Sequence, residues 1–138
     1  MKLLDDIRAG RMQRLLAATT ALSAPALGLE VYLEHYKGSF GDKWMWTPLV
    51  LTPPLTVAGV AGVFSERAAK TALPLVSALY ALDGLAGIVT HVRGLRRRPG
   101  GLQEAHYNLV MGPPVLAPGS LCLIGAFGLA AAIVKRER

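Results

Sequence analysis

The chain has 138 residues, of which 52% are hydrophobic and only 17% charged, and its formal net charge is +6. A soluble domain carries about 25% charged residues; the Lys and Arg also sit at the ends of apolar blocks, as in Arg8/Arg11/Arg14 and Lys135/Arg136/Arg138, the placement of lipid-headgroup anchors rather than a nucleic-acid face. The single cysteine, Cys122, excludes an intrachain disulfide and any cysteine-built zinc or iron–sulfur centre.

Four apolar blocks, residues 15–33, 47–64, 71–92 and 109–134, each approach the roughly 20 residues that cross a bilayer as a helix. They predict an all-α, four-helix transmembrane bundle. Residues 1–14 read as an interfacial amphipathic segment with Leu3, Leu4 and Ile7 on one side. Ala24-Pro25-Ala26 mimics a leader-cleavage site, but the apolar run continues past it, so the stretch reads as a retained helix bent at Pro25.

The first loop, 35–46, carries Tyr36, Trp44 and Trp46, aromatics favoured at headgroup level. Helix two is expected to start near Pro48 and contains Pro53-Pro54. The tight loop 65–70 makes helices two and three antiparallel neighbours, and helix three starts near Pro74. The loop 93–106 contains Pro99-Gly100-Gly101, and helix four is interrupted early by Gly112-Pro113-Pro114 and Pro118.

The two halves resemble one another. His35-Tyr36-Lys37-Gly38 matches His91-Val92-Arg93-Gly94, and Leu49-Val50-Leu51-Thr52-Pro53-Pro54 matches Leu109-Val110-Met111-Gly112-Pro113-Pro114. Gly28-Leu29 matches Gly84-Leu85, and Gly59 matches Gly119. The shared order predicts two tandem helix pairs, 15–70 and 71–138, related by a pseudo-twofold axis along the membrane normal. Nine Lys and Arg fall on the side of the termini and the second loop, against six on the other, which predicts cytoplasmic termini in a bacterial-type inner membrane.

All three histidines fall on one membrane side, with His35 ending helix one, His91 ending helix three and His106 preceding helix four. The repeat would set His35 and His91 across the bundle as axial ligands of a b-type haem. Gly84 and Gly87 would leave porphyrin space two turns and one turn before His91, respectively, and Lys37 and Arg93 would pair with the propionates. A non-haem metal held by His35, His91 and His106 with Glu34 or Glu104 is a second expectation, and a quinone pocket a third.

Glu30 and Glu34, four residues apart, could share a proton at a wet helix end. Asp83, central in helix three, would cost about 2.5–3.5 kcal/mol at mid-membrane. It should therefore face Thr19, Thr20, Thr52, Thr56 or Ser120 as a proton or hydrogen-bond site. The expected role is that of an electron-transfer subunit, more than a stand-alone enzyme. It would sit in the lipid bilayer with other redox subunits or with further copies of itself, and bind no nucleic acid. A cofactor-free accessory subunit and a small transporter are the competing classes.

Overall fold

The computed structural model describes residues 2, 4, 5 and 11–136, and it is helical throughout its membrane-length elements. Half of the expected interfacial segment, Leu3 and Ile7 included, lies outside the described residues. In chain order the helices are α1 (Met12–Lys37), a 3-10 turn (Lys43–Trp46), α2 (Thr47–Phe64), α3 (Glu66–Lys70), α4 (Ala72–Arg96), α5 (Ala105–Met111) and α6 (Leu116–Ile133). Four helical spans, Met12–Lys37, Lys43–Phe64, Glu66–Arg96 and Leu116–Ile133, are long and apolar enough to cross a membrane.

The second loop is itself ordered. Ser65 caps α3 by accepting from the Ala68 amide, and Lys70 reaches Glu66 at 2.7 Å one turn back. Pro53 and Pro54 lie inside α2 with their side chains exposed, whereas Pro113 and Pro114 lie in the extended break between α5 and α6. The two Leu-Val-x-x-Pro-Pro passages therefore have different structures. Gly59 and Gly119 differ too. A Cβ on Gly59 would strike the Ala21 backbone at 2.9 Å, while one on Gly119 would meet nothing within 4 Å.

The four spanning helices form a square: α1 packs on α2, α2 on α4, α4 on α6, and α6 on α1. Helices α1 and α4 thus occupy opposite corners. Lipid tails are as apolar as leucine, so burial from water does not drive this packing; close backbone approach must. Small residues supply it at each main contact. Gly28 meets Thr52, Gly59 meets Ala21, and Gly62 meets Ala17 between α1 and α2; Gly84 meets Pro118 and Cys122, and Gly125 meets Ser77, between α4 and α6.

Two buried amides that the apolar pattern does not flag tie down the ends. Gln13, fully buried, donates to the carbonyls of Ala131 (2.8 Å) and Val134 (3.1 Å) and accepts from Arg136 Nε at 2.7 Å. Arg136 also donates to the Gly62 carbonyl. The start of α1, the end of α2 and the end of α6 are joined in this way.

At the other end Asn108, 1% exposed, donates to the carbonyls of Pro99 (3.0 Å) and Gly101 (2.8 Å) and accepts from Arg98. Gly100 and Gly101 hold positive φ, as that turn requires. An Asn108→Leu protein should lose loop order worth about 1–2 kcal/mol. Tryptic cleavage after Arg96, Arg97 or Arg98 should then run roughly tenfold faster than in the parent; unchanged cleavage would show that Asn108 does not hold the loop.

Candidate functional site

The spanning helices differ in length, and that difference opens a cavity. Helix α4 has 25 residues and α6 only 18, because Gly112-Pro113-Pro114 interrupts the fourth apolar block. Proline supplies no N–H and the residue before it disfavours the helical region, so α6 begins at Leu116 and leaves the last turns of α4 without a full-length neighbour. A cavity of about 630 Å³ lies there, among α1, the first loop, the start of α2, α4 and the Pro113-Pro114 break. Its size falls within the roughly 300–1,000 Å³ usual for small-molecule sites.

His35 and His91 both line it. Each ring is held through Nδ1 by a main-chain carbonyl of the segment that enters the next membrane helix. His35 bonds Met45 O at 2.7 Å, and His91 bonds Pro114 O at 2.8 Å. A carbonyl only accepts, so each Nδ1 carries the proton. In the neutral ring this leaves the Nε2 lone pair unprotonated, which is the state a metal-ligating imidazole requires. Aromatic stacking supports the first loop behind His35: Phe40 lies on Trp46 at 4.0 Å and edge-on to His35 at 6.1 Å. Ser39 and Phe40 hold positive φ in that turn, a left-handed backbone uncommon outside glycine.

The remaining ionisable groups of the lining are acids: Glu34, Asp42 and Asp83, with no Lys or Arg among them. Asp42 also accepts from the Trp44 amide at 3.0 Å, which starts the 3-10 turn. Asp83 pairs with none of the five hydroxyl residues expected for it. Its Oδ1 lies 2.5 Å from Thr47 Oγ1, and Thr47 is also 2.8 Å from Trp44 O. Thr52 is engaged elsewhere, donating to Pro48 O and lying 3.3 Å from the Tyr80 hydroxyl.

Thr47 is the first residue of α2, so Asp83, though central in its own helix, is level with the start of its neighbour. It sits toward the Trp44/Trp46 end of the bundle, not at mid-depth. Its expected insertion cost falls accordingly, since a carboxyl near the interface reaches water or polar loops. Thr47 was missed at the level of sequence because the relative lengths of α2 and α4 set the pairing, and a single apolar block does not report them.

The other expected site residues separate. Gly87 edges the cavity beside Pro118, but the space next to Gly84 is filled by Pro118 O, Cys122 Sγ and the Cys122 backbone. Gly84 thus serves helix contact and leaves no room for a ring. Lys37 and Arg93 are exposed and do not line the cavity; Lys37 pairs instead with Glu34. Glu30, one turn before Glu34 on α1, is exposed and does not line the cavity. Glu104 and His106 are exposed around the start of α5 and do not line the cavity. Among the described residues no three His, Cys, Asp or Glu lie close enough together to hold a metal ion. The chain matches no protein-family model, no curated protein and no solved structure.

Proposed function

We propose that this chain is a small membrane-embedded electron-transfer subunit whose cavity takes a b-type haem between His35 and His91. One observation carries the reading: two imidazoles from opposite corners of the bundle line a single cavity, each with Nδ1 tied to a carbonyl and, in the neutral ring, an unprotonated lone pair on Nε2. Low-spin haem takes two such nitrogens, and the protein sets its potential through ligation and surroundings. The imidazoles fit the group. The lining offers its propionates no cation, and Lys37 and Arg93 lie outside it with Lys37 paired to Glu34, so the propionates would have to stay in water outside the cavity. When bound, the haem supplies a one-electron Fe(III)/Fe(II) couple.

A duplicated helix pair underlies this reading, and the register of the contacts supports it. Buried positions of α1 recur 56 residues later in α4, as Ala17, Ala21, Ala24 and Gly28 against Leu73, Ser77, Tyr80 and Gly84. Buried positions of α2 recur 66 residues later in α6, as Thr52, Leu55, Ala58, Gly59 and Gly62 against Pro118, Leu121, Ile124, Gly125 and Gly128. The contacts follow the same offsets: Gly28–Thr52 answers Gly84–Pro118, Ala21–Gly59 answers Ser77–Gly125, and Ala17–Gly62 answers Leu73–Gly128. The histidines, 56 residues apart, obey the α1-to-α4 offset. The excess of Lys and Arg on the side of the termini favours their lying in the cytoplasm, with redox subunits or a second copy as partners in the bilayer.

The test is the absorption spectrum of the purified chain, oxidised and dithionite-reduced. A Soret band with sharp reduced α and β bands is expected, lost in both His35→Ala and His91→Ala and retained in His106→Ala. A colourless, iron-free protein would overturn the proposal and leave a cofactor-free accessory subunit or a transporter.

A further inference from the structure

Asp83 and Thr47 face two hollows at once. Besides lining the inner cavity, they close one end of a second hollow of about 490 Å³ between α2 and α4, on the outside of the bundle. The rest of that hollow is apolar, and Trp46, Val50, Leu79 and Leu82 stand exposed along it, where a spanning bundle meets lipid tails. The Asp83–Thr47 pair is therefore a polar partition between the bilayer and the inner cavity.

The hydrogen bonding of that partition is particular. Thr47 has one hydroxyl proton but two oxygens in range, Trp44 O at 2.8 Å and Asp83 Oδ1 at 2.5 Å. Both contacts are satisfied together when the Asp83 carboxyl carries its own proton and donates it to Thr47, which then donates to Trp44 O. Thr47 is the one hydrogen-bond partner that Asp83 has among the described residues, so its second oxygen stays open to a ligand.

We infer that this partition is the binding point for a neutral, ring-headed molecule with an apolar tail, of the isoprenoid-quinone class, which enters sideways from the bilayer between α2 and α4. The outer hollow matches the tail. The head must be neutral: no Lys or Arg lines either hollow, and Glu34, Asp42 and Asp83 line the inner one, so a phosphate head would lose its hydration and gain no counter-charge. A ring oxygen finds Asp83 and Thr47, and Trp44, His35 and His91 offer flat surfaces beyond them. This inference does not depend on the haem reading.

The chain has two tryptophans; Trp44 lines the inner cavity and Trp46 the outer hollow, so intrinsic fluorescence reports on this site. Titrating the full-length chain in phosphatidylcholine nanodiscs with decylubiquinone should give saturable quenching. Asp83→Leu and Thr47→Val should each weaken it about tenfold or more, the loss that one buried hydrogen bond near 1.4 kcal/mol produces, whereas Asp83→Asn stays near the parent. Linear, unsaturable quenching would overturn the inference. So would parent-like affinity in both Thr47→Val and a helical, folded Asp83→Leu, or recovery of the quenched fluorescence on adding an equal concentration of dioleoylphosphatidic acid. A colourless preparation that still binds decylubiquinone leaves this site standing without the haem; a haem spectrum without saturable quenching does the reverse.

Discussion

Gly125→Leu should unfold or loosen the bundle as severely as Gly59→Leu, while Gly119→Leu should be tolerated. A Cβ on Gly125 would lie 2.7 Å from Ser77 O and 3.0 Å from Ala81 N; one on Gly59 would lie 2.9 Å from Ala21 N and 3.0 Å from Ala21 Cα. These are backbone atoms of a packed neighbour and cannot swing aside as a side-chain tip does. Overpacking of this kind costs about 1–3 kcal/mol and occasionally more. In lipid no gain in apolar burial offsets it, because the separated helices are already solvated by acyl chains. Gly119 has nothing within 4 Å, and replacing this glycine in the first turn of α6 should gain up to about 1 kcal/mol of helix propensity. Thermal unfolding in detergent, followed by circular dichroism and by retention of a monodisperse elution peak, checks all three. If Gly119→Leu were the damaging change and Gly125→Leu harmless, the observed helix register would be wrong.

Gln13→Leu should be the most damaging single change at the end of the bundle that holds the chain termini. It deprives the carbonyls of Ala131 and Val134 of their donor and Arg136 of its acceptor. Each buried polar group so orphaned costs about 1–3 kcal/mol. Arg136 lies close to Arg14, and burial, with that neighbour second, already pushes its guanidinium below the ordinary value; removing the Gln13 oxygen withdraws a compensating contact. Gln13→Glu separates the two halves of the network, since it keeps an acceptor for Arg136 and gives up the donors to α6. It should therefore fall between the parent and Gln13→Leu in melting temperature. Equal stability of all three would show that the clasp contributes nothing.

The spans were legible because crossing a bilayer is a local requirement. A run of apolar residues near 20 long becomes a helix there whatever its neighbours are, since every backbone group must be satisfied within the segment. The second block matches α2 residue for residue, Thr47–Phe64, and the early interruption of the fourth appears as the break before Leu116. The clustering of His35 and His91 at one end follows from the same counting, because each closes a block that runs in the same direction.

What the sequence determined unaided was therefore the number of spans, their order, and the end of the bundle that holds the imidazoles. Tertiary structure alone decided the rest, because helix phase and relative depth are properties of pairs. The two Leu-Val-x-x-Pro-Pro passages share their Leu-Val and Pro-Pro, yet one lies within α2 and the other in an extended break, and Gly59 and Gly125 press on a neighbouring backbone while Gly119 meets nothing within 4 Å. Asp83 looks central until α2 is laid beside α4 and Thr47 meets it. Gln13 and Asn108 look like ordinary polar residues near helix ends until carbonyls from distant segments close around them. A polar side chain in a membrane protein takes its role from the partner that satisfies it, and that partner is fixed by packing across the bundle.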